Sequence, residues 1–165
     1  MTKFVRLAAL AAAATIAATS AAAQVAPDNG PATATVRITK PLTLTRNSHL
    51  DMGTVVVWGN GSVAMTQAGA ISCTAATLVC DAVGIPADFT VTGSNNRIVD
   101  VQVDNATLTG PSGTLTFVPD YPDTITLPNS GVGNGMDFNV GGSIALLETT
   151  PGGTYVGNLN VTVQY

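Results

Sequence analysis

Only 10% of the 165 residues are charged, well under the roughly 25% of ordinary soluble domains, and the formal net charge is −4. Six basic residues against ten acidic ones argue against nucleic acid or an anionic membrane surface as partner, since both need clustered Lys and Arg. The polar surface must come from Thr, Asn, Ser and Gly, a composition common in exported β-proteins.

The first predicted element is a secretory signal peptide over residues 1–23. Lys3 and Arg6 form its positive end, Leu7 to Ala18 its apolar run, and Ala21, Ala22 and Ala23 a small-residue cleavage site before Gln24. The apolar run is shorter than the about 20 residues that cross a bilayer, so no stable membrane anchor is expected. The mature chain then keeps four basic residues, Arg37, Lys40, Arg46 and Arg97, against ten acidic ones, a net charge of about −6. Export implies the periplasm, the outer-membrane surface or the extracellular space. In those oxidising compartments Cys73 and Cys80, the two cysteines of the chain, are expected to form one structural disulfide. A metal or redox role would need further ligands, and His49 is the single histidine.

Residues 24–31 carry two prolines and a glycine and read as a flexible linker. A domain over residues 32–165 follows. Ala32, Ala34, Val36 and Ile38 alternate with polar residues, and the same parity resumes at Leu42 and Leu44 beyond Lys40 and Pro41. Pro41 lacks a backbone donor, so this run is two strand pieces or one interrupted edge strand. Residues 50–58 and 62–66 flank Gly59, Asn60 and Gly61, which predicts a hairpin with its tip near Asn60. Residues 67–86 read as irregular, tied by the cysteines, with alanines that could support a short helix.

Beyond Pro86, strands are expected over residues 88–92, 98–103, 106–108, 114–118, 124–127, 136–140, 143–148 and 154–165, separated by turn residues that include Gly141 and Gly142. In the last of these, Leu159, Val161, Val163 and Tyr165 share one face and Asn158, Asn160, Thr162 and Gln164 the other, which builds the end of the chain into a sheet. Many short strands with Gly/Pro turns predict an all-β protein, a single antiparallel β-sandwich that is immunoglobulin-like in the broad sense.

Candidate chemistry is sparse. His49 lies in a polar bend with no nucleophile elbow anywhere in the chain, which argues against a catalytic triad. Asp100 with Asp104, and Asp120 with Asp123, are the nearest carboxylate pairs, and in a strand Asp100 falls opposite the core set Val99, Val101 and Val103. The glycine-rich residues 131–135 lack the lysine of a phosphate loop. Trp58 and Tyr155 are candidate stacking rings, but a chain with so few aromatics makes a poor carbohydrate platform. The reading is therefore not an enzyme, with no cofactor and no metal.

The alternating run before Pro41, the segment Leu50-Asp51-Met52-Gly53-Thr54-Val55 and the closing Gly153-Thr154-Tyr155 to Tyr165 resemble a family of secreted bacterial domains of unknown function, number 4402. The closing segment also resembles the last strand of archaic chaperone–usher pilins. That resemblance implies a fold lacking one strand, filled first by a periplasmic chaperone and then, at an outer-membrane usher, by the N-terminal extension of the next subunit in a homopolymer. It makes Ala32, Ala34, Val36 and Ile38 the candidate donor strand, and Leu159, Val161, Val163 and Tyr165 the candidate edge read by chaperone or subunit. The alternative is a self-complete ligand-binding module in which residues 33–44 form the domain's own first strand.

Overall fold

The computed structural model describes residues 33–129 and 135–165. Residues 1–23, the linker 24–31, Ala32 and most of the glycine-rich stretch 131–135 lie outside them. Arg37–Tyr165 forms one compact unit, and Thr33–Val36 fall outside it. The described residues are all-β, with β1 (Thr43–Ser48), β2 (Val55–Val57), β3 (Gly61–Met65), β4 (Ile71–Cys73), β5 (Leu78–Cys80) and β6 (Ala87–Thr92). The chain continues with β7 (Ile98–Val103), β8 (Ala106–Gly110), β9 (Gly113–Asp120), β10 (Thr124–Thr126), β11 (Met136–Leu146) and β12 (Val161–Gln164). Every ladder between them is antiparallel.

Side-chain alternation explains how two sheets close on one core. Along β6 and β7 every second residue is buried, giving Ala87, Phe89 and Val91 on one strand and Val99, Val101 and Val103 on the other. β1, β6 and β11 belong to a seven-stranded sheet, and β10, β7 and β12 to a three-stranded one. Inward residues from both sheets meet in a first core with Ile125, Leu127, Phe138 and Val140, which makes this half a sandwich. Phe89 and Phe138 are direct cross-strand partners whose ring centroids lie 5.5 Å apart. A second core gathers Met52, Val63, Met65, Ala106, Phe117, Ile144 and Leu146, and Leu50 and Leu159 pack against both.

Four local expectations are corrected. First, β2 and β3 do not form a hairpin at Asn60: β2 pairs with β5 and β3 with β4 and β11. The Asn60 side chain instead accepts from the Glu148 N–H at 2.9 Å, which fixes the bend to a distant part of the chain. Second, residues 67–86 hold no helix and are not wholly irregular, since they contain the short strands β4 and β5 joined by Cys73–Cys80 with Cα atoms 6.2 Å apart. Third, Gly141 and Gly142 do not separate two strands. β11 runs through them, pairing with β6 before the glycines and with β3 and β9 beyond. Fourth, the closing strand is short: only Val161–Gln164 is regular, while Val156 makes an isolated bridge to Thr109.

Candidate functional site: a seam between two strand edges

β12 forms because its apolar parity matches that of β7. Val161 stands opposite Val103 and Val163 opposite Val101, while Thr162 and Gln164 face solvent. Among the described residues β12 ends its sheet, with β7 on its single paired side, and β1 ends the other sheet with β6 beside it. Both edges border the first core. Leu42 and Leu44 on the β1 side and Leu159, Val161 and Val163 on the β12 side pack against that core yet stay only half-buried. No ladder joins β1 to β12 among the described residues, so a line of partly covered aliphatic side chains runs between two rows of main-chain N–H and C=O groups.

One end of the seam is tied by Tyr165. Its hydroxyl donates to the Lys40 carbonyl at 2.7 Å and accepts from the Ser94 N–H at 2.7 Å, while the Lys40 N–H donates to Ser94 Oγ at 2.6 Å. The approach requires a glycine beside it, because a Cβ on Gly93 would lie 2.5 Å from the Tyr165 hydroxyl and 2.7 Å from Leu42 Cδ2. Arg97 is half-buried with its guanidinium carbon 5.7 Å from the Tyr165 ring centroid, and its Nε is enclosed without a hydrogen-bond partner. Beside it opens a cavity of about 320 Å³ lined by Arg37, Lys40, Arg97, Ser94 and Asn95, with Ile38 and Thr39 completing the wall.

Residues 33–41 form no strand and are exposed, so their alternation is not used in any sheet among the described residues. The alternative in which residues 33–44 form the domain's own first strand fails for a physical reason: regular pairing starts at Thr43, beyond the break at Pro41. Of the candidate donor residues, Ala34 is exposed, Val36 is 81% exposed and Ile38 84%, and Ala32 lies outside the described residues. Of the candidate edge residues, Leu159, Val161 and Val163 line the seam, and Tyr165, 41% exposed, closes its end.

The other singled-out residues stay apart. His49 and Asp51 are exposed after β1, Asp100 faces out from β7, Asp120 ends β9 and Asp123 precedes β10. Among the described residues no group of three or more His, Cys, Asp or Glu gathers in a metal-holding arrangement. Trp58 is 64% exposed, whereas Tyr155 is half-buried, with its ring over Gly110 and its hydroxyl donating to the Pro151 carbonyl at 2.7 Å.

Sequence reasoning missed Ser94, Lys40 and Arg97 as parts of the site. Ser94 sits in a run of turn residues and Arg97 just before a strand, and neither position carries a local signal of a partner in the last residue of the chain.

The sequence profile of a family described as Domain of unknown function (DUF4402) matches residues 42–165. The match begins one residue before β1, so the exposed residues 33–41 precede it. No curated protein and no solved structure matches the chain.

Proposed function

Starting from the fact that this chain belongs to the DUF4402 family of domains of unknown function, we propose that it is an exported structural subunit of a cell-surface fibre, assembled by strand donation. In this reading the extension before Pro41 of one copy lies in the seam of the next. A periplasmic chaperone holds the seam until then, and an outer-membrane usher is the site of exchange. The observation that carries the proposal is the pairing of a demand with a supply. Two strand edges border an incompletely covered core, and the same chain holds an alternating apolar segment whose described residues, 33–38, join no ladder among the described residues.

The energetics favour such an exchange. An added strand satisfies both rows of edge N–H and C=O groups, which gives strength, while alternate side chains give register. Val36 and Ile38 are almost fully exposed, and burying each would contribute about 1.5–3 kcal/mol. The lone subunit, by contrast, carries open edges that invite aggregation, which is the physical need for a chaperone.

Unboiled samples of the purified protein are expected to run as ladders in denaturing gels, and deletion of residues 32–39 to leave monomer only. Monomer alone before and after the deletion would sink the proposal. A stable folded monomer without a chaperone partner would point instead to a self-contained ligand-binding module.

A further inference from the structure

Charge differs in sign between the residues that flank β7 and β1 at the two ends of the seam, while Asp100 faces out within β7 opposite Gln164. Arg97 immediately precedes β7 and Asp104 immediately follows it, which separates them by about 20 Å of extended strand. Lys40 likewise lies ahead of β1 and Asp51 beyond it. At the Tyr165 end, the cavity of about 320 Å³ is bordered by Arg37, Lys40 and Arg97 and by no carboxylate. These are three of the four basic residues that follow the signal peptide, in a chain whose net charge is negative. At the opposite end Asp51, Asp81 and Asp104 are all exposed. Asp51 Oδ1 accepts from the Gly53 N–H and Asp81 Oδ2 from the Thr54 N–H, which fixes those two carboxylates at one corner.

We infer that these ends recognise each other between copies: the basic cavity end of one subunit receives the acidic Asp51/Asp104 end of a second copy of this chain. The inference rests on the strand-donation reading and adds the electrostatic contact that orients it. Each subunit's own extension leaves from the Tyr165 end, where Lys40 is held by Ser94 and Tyr165. For copies to follow one another in line, the incoming extension must have its root at the far end of the seam. The incoming strand then runs antiparallel to β12 and brings its Arg37 and Lys40 to the acceptor's Asp51 and Asp104. A contact between unlike ends is heterologous and open, the symmetry of a filament and not of a two-fold dimer. Complementary charge of this kind acts mainly on encounter rate and orientation, and it is screened by salt.

The test follows the rate at which purified full-length mature chain assembles into gel ladders. For the wild type, assembly is expected to slow about tenfold between low and high salt. Arg37→Glu with Lys40→Glu should slow it at least as much at low salt. Both side chains are exposed and only the Lys40 backbone takes part in the Tyr165 tie, so the fold is left intact. Asp104→Lys alone should also slow assembly, and adding it to the double variant should restore the rate to within about threefold of wild type. Ladders that grow at the wild-type rate in the double variant overturn the inference while leaving strand donation standing. The same follows if the double variant loses only binding of a free anion such as sulfate. Absence of ladders in the wild type overturns strand donation and this contact with it.

Discussion

At Gly142 the backbone adopts φ +154°, and a Cβ there would collide with the Phe117 ring and the Val118 carbonyl. Gly141 is equally confined, by the carbonyls of Met65 and Thr66. A strand that changes partners from β6 to β3 and β9 must bring its backbone close to its new neighbours, and only glycine permits that approach here. Gly142→Ala is therefore expected to cost about 2–5 kcal/mol, combining strain at a φ that L residues avoid with overpacking against Phe117. A denaturant midpoint unchanged from wild type would contradict this. The glycine pair was visible in the sequence, and its usual meaning is a turn. What reversed that meaning is the closeness of Phe117 and Met65, which no local pattern encodes.

Among the elements, β4 and β5 show how a staple substitutes for length. Each has three residues, too few to hold a ladder by itself, and the disulfide Cys73–Cys80 ties the seven-stranded sheet to the two-stranded one. Replacing both cysteines by serine should lower stability by about 2–3 kcal/mol in the chain-entropy picture. The check is thermal unfolding of the wild type with and without reductant: reduction should shift the oxidised protein to the midpoint of the double variant and leave the variant itself unmoved. The disulfide was legible from the two cysteines of a chain whose sequence reads as exported. The strands it joins were not, because Ala, Thr and Gly around the cysteines carry little strand propensity and the pairing of β2 with β5 spans a loop that contains β3 and β4.

For the whole molecule, the seam makes a prediction independent of gel ladders. A domain lacking residues 32–39 keeps β1 to β12 and both cores, so it should fold and accept a strand in trans. A synthetic peptide with the sequence of residues 32–40 should raise its unfolding free energy, by about 2.7 kcal/mol at a hundredfold excess over the dissociation constant. The same peptide with Ile38→Asp should give no such shift, since strand donation as proposed would then carry a carboxylate toward the core in place of an apolar side chain. Equal stabilisation by both peptides would show that the seam does not read side chains.

By itself the sequence determined the all-β class, the alternation of β6, β7 and β12, the disulfide, and the break that Pro41 puts between two apolar runs. These rest on short-range properties: period-two alternation, the missing donor of proline, two cysteines with a sequence separation of 7. Only the tertiary structure decided which strands are neighbours, where β11 changes partners, that β1 and β12 both end their sheets beside one core among the described residues, and that Lys40 and Tyr165, 125 residues apart, meet through one hydroxyl. The physical reason is that strand pairing and edge exposure are settled when distant segments close on a common core. A strand's own residues specify which face is buried but not which strand, in its own chain or in another, will lie alongside it.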